Sequence, residues 1–271
     1  MVSYFFLFRK EKIMIKFENY EVLGWEHAIR GMRNPKNSWE KSDSKICLGH
    51  NHDTCDFWTL DRSICNLNHL EGELVIGPND HDLMMRLAKG GPVHAKYRRM
   101  ITVYVDITAP LYWWKEFDTY KVGTVANSCS TMHKIHAKKF TLEDFSCEHL
   151  MNFDNSNYWE ENDDNSCFID KRNREGVVLP LDLMTDYIIP LLNVAREKFI
   201  ETKDKKYWWQ MIQLLPSSYN QKRTVMLNYE VLANIYKSRK NHKLDEWRDF
   251  CVWIEGLPYS ELIIGENDEE K

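Results

Sequence analysis

Apolar residues recur with helical spacing in most segments of the chain. A few segments instead have the β-branched and aromatic composition that is typical of strands. The segment MITVYVDI, residues 100–107, is rich in β-branched and aromatic residues and predicts the clearest strand. Residues 14–33 predict a strand followed by a short helix, and QKRTVMLN at 221–228 allows another strand. Amphipathic spacing predicts further helices over 80–90, 111–120, 181–203, 205–216, 229–240 and 244–258.

Helix starts are indicated by local capping signals. Asn79 is placed to cap the helix DHDLMMRLAKG, and Thr108 is placed to cap the helix LYWWKEFDTY with Pro110 in its first turn. The segment TLEDF at Thr141 resembles a capping box in which Asp144 takes the place of the usual Glu. Pro190 predicts a kink or a restart within the long helical stretch that surrounds it.

The order of these elements predicts an α+β chain with helices in the majority, organised as a single domain over residues 14–260. Residues 1–13 are interpreted as an extension or an upstream start. Turn-rich and polar stretches predict insertions near 43–77 and 151–176, and residues 261–271 predict an acidic tail.

Composition narrows the class of function. The chain is 43% hydrophobic and 28% charged, with a net charge of −5, so it offers no general electrostatic attraction for nucleic acid. Its 10 Trp residues suit either aromatic pockets and subunit interfaces or a Trp-rich core. No stretch reaches the length of apolar residues that a membrane helix needs, and no signal peptide is recognisable, which together predict a cytoplasmic protein.

A cluster of sulfur and imidazole side chains is a candidate metal site. Cys47, His50, His52 and Cys55 lie at short spacing, and both side-chain types are zinc ligands. Their order is not one of the common zinc-finger spacings, so a polar surface insertion with unpaired thiols is favoured over a metal site.

The segment APLYWWKEFDTYKVGTVANSCSTMH, residues 109–133, changes from a helix to a run of small polar residues. Small residues suit a chain that passes close to a ligand, because bulky side chains would fill that space. Residues of the same types also occur in ordinary loops, where their side chains bond to their own backbone.

Four landmarks occur here in one order: GGPVHAKYRRMITVYVDI, then residues 109–133, then LLPSSYNQKRTVMLNYEVLANIYKSR, then LDEWRDFCVWI. In this order the chain resembles the flavin-dependent thymidylate synthases over most of residues 80–257. The resemblance implies a thymidylate synthase-complementing-type fold, in which a central mixed or antiparallel sheet is flanked by long helices.

The signature of that family is where this sequence departs from it. The family has an Arg-His-Arg triplet, then a serine, then a Ser-x-Arg-Tyr ending. Ser130 matches the motif serine, whereas Met132 stands at the arginine and His133 at the tyrosine. With one residue inserted, the triplet position reads Thr119-Tyr120-Lys121; without the insertion it reads Tyr120-Lys121-Val122. Methionine cannot replace the planar, two-pronged donor that arginine provides.

The family converts dUMP to dTMP with reduced FAD, NADPH and methylenetetrahydrofolate, without an enzyme nucleophile, in a homotetramer whose sites are shared between subunits. The resemblance therefore implies FAD as cofactor, a pyrimidine nucleotide as ligand and a homo-oligomer. Carried over by motif, Lys121, Asn127, Ser130 and Arg239 bind the nucleotide. Ser130 and Arg239 are also the catalytic candidates, and His94 and Asn228 bind FAD.

Three functions remain open at this point. The first is a divergent flavin-dependent thymidylate synthase acting on dUMP or a related nucleotide. The second is a catalytically degenerate protein on the same fold that binds or sequesters a nucleotide, which the missing arginines favour. The third is a zinc-stapled interaction protein, which depends on the Cys/His cluster.

Overall fold

The structure is a computed structural model that describes residues 15–47, 72, 74–150, 180–265 and the two short strands at 168–169 and 177–178. These residues group into two compact units. Unit 1 holds those within Met1–Glu18, Asp106–Thr119 and Ala126–Thr224. Unit 2 holds those within Asn19–Val105, Tyr120–Val125 and Val225–Lys271.

The strands form one larger sheet and two small ladders. In chain order they are β1 Lys16–Leu23, β2 Lys45–Ile46, β3 Leu74–Val75, β4 Thr102–Pro110, β5 Val125–Ser128, β6 Phe168–Ile169, β7 Val177–Val178 and β8 Asn220–Asn228. The four-stranded sheet has the order β1-β4-β8-β5. β2 pairs with β3, and β6 with β7, both antiparallel.

The helices are α1 Trp25–Arg33, α2 Pro78–Lys89, α3 Leu111–Phe117, α4 Pro180–Asp182, α5 Ile189–Thr202, α6 Lys205–Leu214, α7 Tyr229–Arg239, α8 Asp245–Glu255 and α9 Glu261–Ile264. Short 3₁₀ turns lie at Asn34–Lys36, Trp39–Lys41, Ala95–Met100 and Leu142–Asp144, and Leu183–Ile188 forms a π-helix. The α+β class predicted from the sequence is confirmed. No helix within the described ranges is long and apolar enough to cross a bilayer.

The strands predicted from β-branched runs are present because their side chains alternate between two environments. In β4, Val103, Val105, Ile107 and Ala109 are buried and the residues between them are less so. This period of two is what places one face of a strand against a core.

The core of unit 1 is built on aromatic and aliphatic side chains from α3, α5 and the loop between β5 and α4. Trp113, Trp114 and Phe117 on α3 are fully buried and pack against one another, with ring centroids 4.9–5.2 Å apart. Both adjacent tryptophans are therefore core residues, and neither is exposed to a ligand.

The core of unit 2 packs α1, α2 and α7–α9 around buried side chains such as Trp247 and Phe250. Gly24 precedes α1 with a φ of 95°, and a Cβ there would lie 2.1 Å from the Met100 carbonyl oxygen. Only glycine fits where these two backbones approach so closely.

Two helices begin elsewhere than their sequence signals predicted. Helix α2 starts at Pro78 rather than after Asn79, because the Asp43 carboxylate accepts from the backbone N–H of Asn79 at 2.9 Å and of Asp80 at 3.1 Å. The cap thus comes from a residue distant in sequence, which local patterns cannot reveal.

Thr108 does not cap α3 as predicted, because β4 continues through it to Pro110, and Pro110 directly precedes the helix. The capping box at Thr141 and Asp144 and the helix restart at Pro190 are confirmed.

The domain boundaries remain sequence-based predictions, with one exception. Residues 261–264, which we assigned to the acidic tail, form α9, and Leu262 and Ile263 are buried. The boundary at 260 therefore cuts through a packed segment. Residues 1–13 and 266–271, and most of the insertions near 43–77 and 151–176, lie outside the described residues.

One buried polar side chain in unit 1 gives a test of the packing. The side chain of Asn193 on α5 accepts from the Phe140 N–H and donates to the Phe140 carbonyl, both at 2.9 Å. We predict that Asn193→Ala lowers the free energy of unfolding by about 2–4 kcal/mol, because both Phe140 groups lose their partner. Urea unfolding measures the change. Asn234→Ala, on an exposed face of α7, is the control and should change stability by less than about 0.5 kcal/mol.

A second test concerns the pair that joins α2 to α9. His81 Nε2 lies 2.7 Å from a Glu261 carboxylate oxygen, and this hydrogen bond raises the pKa of His81 above 6.5. A raised pKa in the folded state stabilises the protein below the unfolded value, and this contribution is lost as pH rises through the folded value. We predict that His81→Gln lowers the melting temperature near about pH 6 and has little effect near about pH 9. His27→Gln, at an exposed position of α1, is the control substitution.

Candidate functional site

The segment from Tyr120 to Thr124 in unit 2 is fixed against the start of α7. Gly123 has a φ of 78°, and a Cβ there would lie 3.0 Å from Asn228 Nδ2 and 3.2 Å from Val231 Cγ2. Asn228 is itself the N-cap of α7, with its Oδ1 accepting from the Val231 N–H at 3.1 Å. The group that lies close to Gly123 is therefore the Asn228 side chain, whereas the run of small residues in the sequence had suggested a ligand at this place.

Arg239, at the other end of α7, holds the same segment. Its Nε donates to the Tyr120 hydroxyl at 2.9 Å, and its guanidinium lies 4.7 Å from the ring centroid of the buried Trp247. Cation–π contacts of this kind restrain the guanidinium plane. Arg239 is thus engaged within unit 2, beyond a simple interaction with the helix dipole.

Tyr120 contacts Arg239 at the end of α7 and Gly123 approaches Asn228 at its start, so the segment that carries Lys121 runs along this helix. Lys121 is exposed in the chain as described. The Thr124 hydroxyl is buried and has no hydrogen-bond partner among the described residues. A buried hydroxyl without a partner costs free energy unless a ligand or water satisfies it, so this neighbourhood is a candidate binding surface.

In unit 1, Ser130 lies in the wall of a cavity of about 380 Å³. The cavity is lined mainly by polar and charged side chains from β1, the segment after β5, the turn at Glu143 and the start of β8. They are Lys16, Thr108, Cys129, Ser130, Thr131, Lys138, Glu143, Asp144, Tyr219, Asn220, Gln221 and Lys222.

A chain of hydrogen bonds fixes the wall that contains Ser130. Trp114 Nε1 donates to the Gln221 carbonyl at 2.9 Å, and Gln221 Nε2 donates to the Cys129 carbonyl at 2.8 Å. The Cys129 N–H donates to the Lys222 carbonyl at 2.9 Å. Arg223 stacks over Trp114 at 4.2 Å and donates to Gln221 Oε1 at 3.0 Å. The buried core of unit 1 therefore positions the backbone beside Ser130.

Ser130 and Asn220, two polar residues of the cavity wall, differ in their hydrogen bonding. Ser130 Oγ accepts from the His133 N–H at 2.8 Å, so the serine also closes a turn of its own loop. Its hydroxyl hydrogen remains a donor. Asn220 Oδ1 is buried without a partner among the residues described, which makes it an acceptor available to a ligand N–H.

The charges of the cavity largely balance. Lys222 Nζ lies 3.0 Å from Glu18 and 3.3 Å from Asp106, and the hydrogen bonds to these carboxylates, that to Glu18 first, raise the pKa of Lys222. Lys138 pairs with Asp144. Burial raises the pKa of Tyr219, which keeps its hydroxyl protonated. A nearly neutral, hydrogen-bonding cavity suits a polar base better than a phosphate group.

The remaining sequence candidates are more exposed. Asn127 lies on β5 in unit 1, and His94 immediately precedes the 3₁₀ turn Ala95–Met100 in unit 2; both are exposed. The His94 ring packs against Gly90, where a Cβ would lie 3.1 Å from it. Cys47 is a buried free thiol, whereas His50, His52 and Cys55 lie outside the described residues. Within the part of the chain that the structure describes, no group of metal-ligating side chains is found.

Three basic side chains follow His94 in the 3₁₀ turn Ala95–Met100. Lys96 and Arg99 are exposed in the same segment, and Arg98 Nε is buried without a partner among described groups. Three cations, one with an unsatisfied donor, form a set that fits a diphosphate such as that of FAD.

Sequence reasoning missed Tyr219, Asn220, Gln221 and Lys222. They fall inside the segment LLPSSYNQKRTVMLN, where we had selected only Asn228 and later Arg239. Four polar or charged residues in succession at the start of a predicted strand were the signal available.

Comparison with known proteins bears on the fold. No protein-family model and no curated protein matches the chain. A structure of thymidylate synthase X (ThyX) from Helicobacter pylori, solved with FAD and dUMP, matches with a TM-score of 0.53 at 16% identity, over 93% of this chain and 96% of that chain. A second ThyX structure from the same organism, also with FAD and dUMP, matches with a TM-score of 0.51 at 15% identity, over 93% and 97%. The chain therefore has a fold like that of the flavin-dependent thymidylate synthases, as the order of its sequence landmarks had indicated.

Proposed function

We propose that this chain binds a pyrimidine nucleotide and FAD, and that the reaction its fold supports is the reductive methylation of dUMP or a related nucleotide. NADPH and methylenetetrahydrofolate would be the co-substrates. The observation that carries the proposal is the cavity at Ser130 with the unsatisfied acceptor of Asn220, in a chain whose fold resembles ThyX over 93% of its length.

The cavity groups suit a uracil ring. Uracil presents one ring N–H between two carbonyl oxygens. Asn220 Oδ1 would accept from the ring N–H, and the hydroxyls of Ser130 and Tyr219 would donate to carbonyl oxygens. A site that bonds the base in this way rejects analogues lacking the matching groups, because its own buried groups would then be unpaired.

In unit 2, considered by itself, Lys121 and Thr124 are proposed as an anion site that takes a phosphate group. Lysine is a point charge that attracts phosphate without fixing its orientation. Arg239 would act mainly by holding Tyr120, and through it the backbone next to Lys121. This is a weaker anion site than the arginine triplet of the resembled family provides.

His94, Lys96, Arg98 and Arg99 would hold the flavin cofactor, together with Asn228. Reduced FAD supplies a hydride when bound in this kind of site. The contribution of the protein is to hold the uracil ring in a fixed position and to polarise its carbonyls. This requires no nucleophile from the chain.

Nucleotide binding without turnover is the second candidate function. Met132 stands where the signature has an arginine; it is 50% exposed, and its carbonyl accepts from Trp208 Nε1 at 2.8 Å. The backbone at Met132 is therefore anchored, but the side chain offers no charge. This favours slow or absent methyl transfer.

A homotetramer with shared sites is proposed on the exposure of the signature segment. Val122 is 91% exposed and Val125 61%, and Lys121, Asn127 and Ser130 are exposed around them. Apolar side chains this exposed beside candidate ligand groups suit burial by another copy of the chain.

The absorption spectrum of the purified protein, followed by mass spectrometry of molecules released on denaturation, tests the proposal directly. Visible flavin bands and dUMP binding support the first function. A colourless protein that binds dUMP supports the second. A protein that binds neither flavin nor nucleotide contradicts both functions. Stoichiometric zinc in the purified protein would support the third function, that of a zinc-stapled interaction protein.

The acceptor of Asn220 gives a specific prediction. We predict that Asn220→Ala weakens dUMP binding at least about tenfold, which corresponds to about 1.4 kcal/mol, because the ring N–H loses its partner. Calorimetric titration measures the affinity, and melting curves establish that the variant is folded. Asn234→Ala is the matched control and should bind as the parent does. If the folded Asn220→Ala variant binds dUMP as tightly as the parent does, the uracil base does not bind in this cavity.

Restoring the signature ending gives a second prediction. Met132→Arg with His133→Tyr should tighten dUMP binding about 10–100-fold, since a charge-assisted hydrogen bond contributes about 1.5–3 kcal/mol. It should also raise dTMP formation, measured by chromatography of the products. Ile200→Arg, which adds the same charge at a partly exposed position on α5, should do neither. A parent protein that already turns over at about 1 per second would contradict the loss of chemistry.

A further inference from the structure

Unit 2 contains a larger cavity that shares no residue with the site at Ser130. Its volume is about 620 Å³, within the usual range for small-molecule sites. The walls come from α1, the two 3₁₀ turns that follow it, β2 and β3. They are Glu26, Ile29, Arg30, Arg33, Asn34, Trp39, Ser42, Ser44, Lys45, Ile46 and Leu74.

Arg33 is the unusual member of this wall, because it is a cation that is only 3% exposed. Its Nε donates to Asp80 Oδ1 at 2.6 Å, and its Nη1 donates to the Ser38 carbonyl at 3.2 Å. Its Nη2 is buried and has no hydrogen-bond partner among the residues described. A guanidinium this well buried is rarely left with an unused donor.

Asp80 cannot satisfy that donor, since its other oxygen is already saturated. Asp80 Oδ2 accepts from the hydroxyls of Ser42 and Ser44, at 2.7 and 2.6 Å, and from the backbone N–H groups of Asp43 and Ser44. Burial favours the neutral acid, but the hydrogen bonds from Ser44, Ser42 and Arg33 outweigh it and lower the pKa of Asp80. Asp80 therefore remains ionised and fully occupied, and Nη2 needs an acceptor from elsewhere.

The rest of the cavity wall is largely apolar. Ile29, Trp39, Ile46 and Leu74 supply the apolar surface, and the Trp39 ring is held by a hydrogen bond from its Nε1 to Asn34 Oδ1 at 2.8 Å. The exposed side chains of Glu26, Arg30 and Lys45 supply the charged part of the lining.

We propose that this cavity binds a small carboxylic acid with an apolar body, whose carboxylate accepts from Arg33 Nη2 while the body packs on Trp39, Ile46 and Leu74. The unused guanidinium nitrogen matches one oxygen of a carboxylate. An apolar body gains by covering side chains such as Trp39 and Ile46, each 49% exposed.

The probe is 2-naphthoate, with 2-naphthalenemethanol as its uncharged counterpart of similar shape. Calorimetric titration of the full chain should show one naphthoate bound per chain, and binding of the alcohol at least about tenfold weaker. No naphthoate binding at millimolar concentration overturns the proposal. Equal affinity for acid and alcohol overturns it as well, because Arg33 would then select nothing.

Two variants locate the site. Ile46→Glu places a negative charge in the wall without touching the buried ion pair and should weaken naphthoate binding at least about tenfold. Val252→Glu, an equivalent change at an exposed residue of α8 outside the cavity lining, is the control and should leave binding unchanged. If both variants bind as the parent does, the ligand lies elsewhere and the proposal fails.

Arg33→Lys keeps a cation opposite Asp80 but removes the second terminal nitrogen. We expect naphthoate binding to fall at least about tenfold in a variant that melts cooperatively. Should that variant not fold, Ile46→Glu alone decides. Titration of dUMP into Ile46→Glu separates this cavity from the nucleotide site, since dUMP binding should be unaffected whether or not naphthoate binds.

Discussion

The candidate nucleotide cavity depends on how Gln221 is held. Its backbone carbonyl accepts from a tryptophan in the middle of the unit 1 core, and its side chain reaches the carbonyl of Cys129, next to the motif serine. Because buried Gln221 makes both bonds, it links the packed core to a loop that is otherwise exposed and fixes the position of that loop. Together with this link, the bond from the Cys129 N–H to the Lys222 carbonyl fixes the backbone beside Ser130 relative to β8.

The chain keeps the backbone framework of its resembled family while changing the charges on it. The arginine that would have gripped an anion is a methionine, and the arginine that remains is stacked on Trp247 and bonded to Tyr120. Charge at the candidate site is left to lysines, two of which are already paired with carboxylates. If the proposed function holds, such a site would recognise a nucleotide more through hydrogen bonds to its base than through its phosphate.

Local sequence patterns predicted those parts of the fold that local forces determine. The strand at Thr102–Pro110 followed from its β-branched residues, and the capping box at Thr141 followed from its own four residues. The start of α2 could not be predicted in this way, because its cap comes from Asp43, which is distant in sequence. The hydrogen bond from Arg239 to Tyr120 could not be predicted either. Ser130 was found through its motif, whereas Asn220 was missed because a single polar residue at a strand start gives no sign that its oxygen will be buried without a partner.

The cap of α2 by Asp43 has a consequence for how the chain tolerates change in length. Asp43 lies 36 residues before the amide that it caps, and the β2–β3 ladder closes the connection between them, with Lys45 opposite Val75. Both ends of the connection are thus fixed by contacts that do not depend on the number of residues in between. Changes in chain length between residues 47 and 74 should therefore alter the start of α2 little.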